Sequence, residues 1–258
     1  MIQKNNESQQ LLLNIGNTTT SAALRCGNAI KHLAAFPTSN WEKGCIPDPV
    51  TSLNVPVVAA SVVPPLKPIL QSRFPHIVFL HEATTWDKLP VRFAPDVQRR
   101  IGADRVANLL AAHQLYPQPT IVVDCGTAIT IETLDQNATF AGGVIMPGRE
   151  FLRHALHSGT GQLPCPPLSP ELLPPWQEQT EKAIQAGCDQ MAVGALIRGL
   201  QLWRQREGFA DAYVILTGGD AQFFHPPLHH CLPFPLIMAP RDFTMRGIAL
   251  WAHTITQE

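Results

Sequence analysis

Leu11-Leu12-Leu13-Asn14-Ile15-Gly16-Asn17-Thr18-Thr19-Thr20 returns later in the chain as Ile121-Val122-Val123-Asp124-Cys125-Gly126-Thr127-Ala128-Ile129-Thr130. Each copy runs three branched apolar residues into an Asn or Asp, then one residue, a glycine and a hydroxyl-bearing stretch. Further residues with strand character follow, to Leu24 and to Leu134, so each copy reads as a β-hairpin closed by a glycine turn. A repeat of this kind decides the architecture: the chain consists of two related halves, 1–117 and 118–258, whose polar turns are expected to border a cleft.

The turns have a chemistry of their own. Glycine lets the backbone approach a ligand closely, and successive turn N–H groups can cradle anionic oxygens. Thr and Asn side chains add donors, and a carboxylate at a strand end can hold a divalent cation beside phosphates. Either turn alone could be an ordinary hairpin connection; the duplication, with an acid or its amide at the same offset, favours a phosphate site.

Around these hairpins, elements alternate. Strands are expected at Ala29 to Ala35, Val55 to Ser61, Ile77 to Leu80, Thr139 to Met146 and Ala212 to Leu216. Helices are expected over Leu66 to Phe74, Gly102 to Leu115, Gly148 to Leu156, Thr180 to Arg206 (as one helix or two) and Thr244 to Thr254, the last packing back toward the first half. The long helix is expected to bury Ile184, Met191, Ala195, Leu196, Leu200 and Trp203. The proline-dense segment from Cys165 to Pro175 cannot be regular helix or sheet. His229-His230, among prolines, reads as a surface turn. This alternation is an α/β pattern.

Composition excludes several classes. The 258 residues are 45% hydrophobic and 15% charged, enough for proper cores, and the net charge of −1 gives no general attraction to nucleic acid or anionic membranes. No run approaches the roughly 18 apolar residues of a membrane span. Met1 to Gln10 is polar and lacks a signal-peptide core, so a short extension before the first strand is expected. Six scattered cysteines without a CxxC pair suit a reducing cytoplasm. Cys125, inside the second motif, reads as a small buried apolar residue.

Four blocks stand in order: Asn14-Ile-Gly-Asn-Thr18, Gly102-Ala-Asp-Arg105, Asp124-Cys-Gly-Thr-Ala128 and Thr217-Gly-Gly219. Together they resemble the type III pantothenate kinases of the acetate and sugar kinase/Hsp70/actin superfamily. Ala60-Ser-Val-Val-Pro64, Gly142 to Gly148, Thr180 to Gly187 and Phe243 to Gly247 are similar to the same family, so the resemblance covers nearly the whole chain. It implies two duplicated actin-like (ribonuclease H-like) domains with mixed sheets flanked by helices. It also implies ATP-dependent phosphorylation of pantothenate to 4'-phosphopantothenate, with Mg²⁺, a monovalent cation (K⁺ or NH₄⁺) and a cytoplasmic homodimer.

Residue by residue, the resemblance makes Asp104 the catalytic acid that accepts the proton of the attacking hydroxyl. Asn14, Gly16, Asn17, Thr18, Gly126, Thr127, Gly218 and Gly219 would bind the nucleotide. Gly102, Arg105 and Thr180 would bind pantothenate, Thr180 from the partner subunit, although its position also suits a plain helix N-cap. Asp124 and Asn14 would face the metal. Without the resemblance, Asp104-Arg105 could be a helix-start acid beside a surface ion pair, and Gly218-Gly219 a tight βα turn.

The sequence departs from the family pattern at three places. Asn14 stands where the family has Asp; its amide oxygen can still face a cation but brings no charge, so weaker metal–ATP binding is expected. Pro95 and Gln98 occupy the offsets of the usual Tyr and Pro, with Phe93 the nearest aromatic. Cys125 and Ile129 read as packing changes. A catalytically weak or inactive kinase-like regulator, of the kind represented by the Bvg accessory factor relatives, is the alternative that Asn14 motivates. A kinase of another small alcohol is a third reading.

Overall fold

In the computed structural model the described residues are 9–255. The first strand, β1 (Gln9–Ile15), starts two residues inside the expected N-terminal extension. It is followed by β2 (Thr19–Cys26), β3 (Ala29–Pro37), the one-turn helices α1 (Asn40–Lys43) and α2 (Asp48–Thr51), β4 (Val57–Ser61), α3 (Lys67–Arg73) and β5 (Val78–Phe79). Two more single turns, α4 (Leu80–Ala83) and α5 (Pro95–Gln98), precede α6 (Ala103–Leu115). The repeat then opens with β6 (Thr120–Cys125), β7 (Ala128–Leu134), β8 (Phe140–Pro147) and α7 (Arg149–Gly159). The chain closes with α8 (Thr180–Gln205), β9 (Tyr213–Thr217), α9 (Ala221–Cys231), β10 (Leu236–Met238) and α10 (Phe243–Ile255).

The duplication extends from the hairpins to whole sheets. One sheet has the order β3-β2-β1-β4-β5, the other β10-β9-β6-β7-β8, which is the same order read from the opposite edge. In both, the first three strands form an antiparallel meander, and the fourth and fifth add in parallel on the other side of the first. The two repeated motifs are therefore the central strands of two mixed five-stranded sheets. A central strand is covered on both faces, which is why each motif begins with an unbroken apolar triplet rather than an alternating pattern. Leu11, Leu12 and Leu13 are all buried, as are Ile121, Val122 and Val123.

The chain forms two compact units, Met1–Leu115 with Asp242–Glu258, and Tyr116–Arg241. The expected halves met at 117/118, with the last helix packing back toward the first half; α10 is a member of the first unit. Its reason is packing: α10 lies on α6 so closely that a Cβ on Gly247 would overlap the Ala107 carbonyl. Ile248 and Trp251 are fully buried there. On the opposite face of the first sheet, Leu11, Leu13 and Ile15 pack with Phe36, Trp41, Leu66 and Leu70. In the second unit Ile121, Val123 and Cys125 pack with Leu196 and Leu200 of α8 and Phe224 and Leu228 of α9.

Several expected elements differ in detail. The strand expected at Ile77 to Leu80 shrinks to two residues, because Leu80 already starts α4. The long helix is one unbroken α8, but Met191 is 56% exposed and Ala195 is exposed as well; Ala192 and Val193 are buried instead. His229 and His230 lie in the last turn of α9, not in a loop. That helix contains Pro226 and Pro227, and the burial of Phe223, Phe224 and Leu228 offsets the interrupted hydrogen bonding. The proline-dense segment after α7 is irregular, as its composition requires.

Candidate active site

In the first unit the polar end of β1 lies at the carboxyl edge of the parallel pair β1–β4, with Asn14 beside Ala60 and Ile15 beside Ser61. The open edge beyond strand carboxyl ends is the general ligand side of α/β sheets. The Ile15 carbonyl accepts a bond from the Val62 N–H at 3.0 Å, so the chain leaving β4 is tied to the turn after β1. That turn is closed by Gly16 N–H to the Thr19 carbonyl at 3.0 Å. From β3's end, the Thr38 hydroxyl donates to the Gly16 carbonyl at 2.7 Å and the Thr38 N–H to the Thr18 carbonyl at 2.9 Å. With the Gly16 and Thr18 carbonyls engaged inward, Asn17 and Thr18 lie exposed at the tip. The Asn14 amide oxygen is buried with no hydrogen-bond partner, an orphaned acceptor at the strand end.

Gly102 starts α6 by accepting the Val106 N–H at 3.1 Å and stands against Val62. A Cβ on Gly102 would come within 2.6 Å of an Asp104 carboxyl oxygen, so glycine leaves the space in which that carboxyl lies. Asp104 Oδ1 accepts the Arg105 N–H at 2.8 Å. Burial pushes the Asp104 carboxyl above its ordinary value; the Arg105 N–H and guanidinium oppose this without cancelling it. Burial has thus made this carboxylate a stronger base, the change required of a group that must take a proton from an alcohol.

In the second unit the equivalent strand end carries Asp124, paired with Thr130 on one side and Thr217 on the other. The two turns are not identical. Ile15 pairs with Thr20 across four residues, whereas Cys125 pairs with Ile129 across three. Gly218, with φ +92°, turns tightly against this strand end: a Cβ there would stand 2.5 Å from Asp124 Oδ1 and 2.6 Å from the Cys125 nitrogen. Gly219 is exposed and open. The Asp220 N–H bonds the Cys125 carbonyl at 2.9 Å, and the Gly148 N–H bonds the Thr127 carbonyl at 2.9 Å. Asp124, Gly126, Thr127, Gly218 and Gly219 are therefore gathered at one edge. Cys125 is fully buried, and burial with the neighbouring Asp124 and Asp220 charges pushes its thiol well up, so it packs as an uncharged residue.

Thr180 stands apart from this edge. It is the first residue of α8 rather than its N-cap, which is Gln179. It lines a cavity of about 680 Å³ whose other walls include Leu152, Leu156, Leu163, Ile184 and Met191. Among the described residues no group of three His, Cys, Asp or Glu side chains is arranged to hold a metal. Mg²⁺ at a phosphate needs only one or two protein oxygens, the rest coming from phosphate and water. Each unit by itself offers one oxygen group of that kind at its strand end, the Asn14 amide oxygen in the first and the Asp124 carboxylate in the second. No helix among the described residues is long and apolar enough to cross a membrane.

Sequence reasoning passed over Arg149, Arg153, Asp189 and gave Asp220 no role. The first three are buried and form, with the partly exposed Asp220, a charge cluster behind the second turn. The only local signal was Asp220 following Gly218-Gly219.

The sequence profile of the type III pantothenate kinases matches residues 10–201. A type III pantothenate kinase from Gloeobacter violaceus is 28% identical over 244 residues, covering 94% of this chain and 98% of the relative. One from Herminiimonas arsenicoxydans is 35% identical over 130 residues, an alignment spanning 50% of each chain. Among solved structures, a Baf family protein from Campylobacter jejuni superposes with a TM-score of 0.56 at 19% identity, covering 96% of this chain and 100% of that one. MreB5 of Spiroplasma citri bound to ADP gives 0.53 at 9% identity, covering 97% and 98%. These two share the fold, the actin-like arrangement of mixed five-stranded sheets and helices. The chain belongs to the type III pantothenate kinase family, of the acetate and sugar kinase/Hsp70/actin superfamily.

Proposed function

We propose that this chain transfers the γ-phosphoryl group of ATP to the primary hydroxyl of pantothenate, forming 4'-phosphopantothenate for coenzyme A synthesis. The observation that carries the reading, within a chain of this family, is Asp104: a half-buried carboxyl of raised basicity at the start of α6. Phosphoryl transfer asks the protein mainly for positioning and charge neutralisation. Asp104 accepts the hydroxyl proton as the oxygen attacks. Arg105 binds the pantothenate carboxylate through its planar fork. The Gly16–Thr18 and Gly126–Thr127 turns offer backbone and hydroxyl donors to phosphate oxygens, and Gly218-Gly219 lets the backbone approach the nucleotide. Asp124 and the Asn14 oxygen are the groups that would face Mg²⁺, which supplies neutralisation of phosphate charge. K⁺ or NH₄⁺ is the monovalent ion of this reading, and the six free cysteines suit a cytoplasmic setting.

A homodimer is part of the same reading. Exposed apolar side chains occur on β8, α7 and α8: Ile145 is 64% exposed, Phe151 55% and Met191 56%, and Val144 and Leu156 are exposed as well. Such a face supports association with a second copy, and Thr180 at its cavity supports a contribution to pantothenate binding. Ile145→Asp should convert the dimer to monomer in sedimentation analysis; a variant that stays dimeric argues against this face.

The direct test of the activity is phosphopantothenate formation, followed by mass spectrometry with ATP, Mg²⁺ and NH₄⁺. Product absent from wild-type reactions would refute it. Asn14 favours one second reading, a weak or inactive relative that binds nucleotide or pantothenate as a regulator. Asn14→Asp separates the two, since a large gain in turnover marks a weakened enzyme, whereas an already active wild type removes the argument for the regulator.

A further inference from the structure

Behind the second turn, three charged side chains are buried almost completely: Arg149 at 2% exposure, Arg153 at 1% and Asp189 at 0%. Arg149 is the first residue of α7 and follows Gly148, whose backbone lies directly on the Gly126-Thr127 turn. A Cβ on Gly148 would stand 2.6 Å from the Thr127 carbonyl oxygen, so no side chain could separate α7 from that turn. The Arg149 guanidinium reaches four partners at once. Its Nε and Nη2 donate to the two oxygens of Asp189 on α8 at 2.8 and 3.1 Å. Nη2 also donates to the Ser169 carbonyl at 2.6 Å. Its plane covers the Phe223 ring on α9 at 3.2 Å from the centroid. Finally, Nη1 faces Asp220 Oδ1 at 3.5 Å, directly after Gly218-Gly219.

Charge explains why these groups belong together. Asp189 also accepts from Arg153 at 3.0 Å, so one buried carboxylate serves two guanidiniums. The surplus positive charge is answered by Asp220, which is the more exposed partner at 22%. Removing one member of a buried ion cluster is costly because it leaves another uncompensated. Asp220 is thereby drawn toward α7 while its N–H holds the Cys125 carbonyl, and the glycine turn between β9 and α9 is fixed from both sides.

We propose that Arg149, oriented by Asp189 and acting through Asp220, is a positioning residue for nucleotide binding. It locks the Gly218-Gly219 turn to the Gly126-Thr127 turn within the second unit. This inference rests on the reading of those glycine turns as the nucleotide side of a kinase site. Arg149 touches no phosphate in this account. It sets the spacing of two backbone segments that do, so freeing it loosens the contacts that those segments offer to phosphate.

The test is titration calorimetry of Mg²⁺·ADP on the full chain, comparing wild type with Asp220→Asn and Asp220→Ser. Serine is a favoured helix N-cap, so the second variant keeps the start of α9 while deleting the charge. The expected result is an ADP Kd about tenfold weaker in both variants. In steady-state kinetics KM for ATP should rise by a similar factor, with kcat and KM for pantothenate within about twofold. A purely structural role would lower the melting temperature and leave that KM split absent. Unchanged ADP affinity in folded Asp220→Ser overturns the proposal while leaving the kinase reading intact. A wild-type chain that binds no ADP overturns both.

Discussion

At Asp104 burial raises the proton affinity of a group whose work is to receive a proton. Asp104→Asn should lower kcat by about 10²–10⁴, the usual range for a lost general base, while ADP affinity changes little. The folded chain holds this proton to higher pH than the unfolded chain, so ionisation at neutral pH costs stability. Asp104→Asn should therefore raise the melting temperature even as it removes activity. The base must be ionised to act, so kcat/KM in the wild type should fall with acidification through a midpoint above the ordinary carboxylate value. A profile flat down to the ordinary Asp range would contradict the assignment. Asn14 poses the converse case, a neutral group with an unpartnered oxygen. Asn14→Asp should lower KM for Mg²⁺·ATP about threefold or more through the added charge at the strand end; an unchanged or higher KM would remove Asn14 from the metal side. Asp104 and Asn14 were legible in sequence because each sits in a short motif with fixed spacing. Arg149 was not, since its meaning depends on Asp189, Ser169, Asp220 and Phe223, none of them local to it.

Elements were legible in proportion to how far local pattern governed them. The two hairpins, α6 and β8 followed directly from apolar runs and turn residues. The face of α8 was legible in part: Ile184, Leu196 and Leu200 are buried as expected, but the helix carries apolar residues on more than one side, and Met191 and Ala195 fall on the exposed one. α9 was hidden by Pro226-Pro227, where core burial overrode a local breaker. The closest helix contact in the first unit depends on a single absent side chain. Gly247→Ala should destabilise the first unit by about 3 kcal/mol, because the added carbon meets the backbone of Ala107 rather than a side chain that could move. Gly159→Ala, where nothing lies within 4 Å, is the control. Urea unfolding midpoints that agree for the two variants would show that α6 and α10 can part at little cost.

For the whole molecule, the repeat announced two related halves with mixed sheets, and the two sheets share one strand order, although β10 was not among the expected strands. The return of α10 toward the first half was expected from the resemblance of the whole chain, not from the helix itself, because an amphipathic pattern carries no mark of which sheet it covers. Deleting residues 242–258 should expose the face of the first sheet that Ile248 and Trp251 cover, leaving Tyr116–Arg241 with its own core. In hydrogen exchange the truncated chain should lose protection in β1 and β4 while β6 and β9 keep theirs. Retained protection in β1 would show that α10 is dispensable. The route of the chain also fixes a timetable. During synthesis the first unit leaves the ribosome early but lacks its closing helix, whereas the second unit is complete once Arg241 has emerged. The segment translated later is thus the one able to finish folding sooner, and the earlier segment must wait, partly uncovered, until α10 has been made.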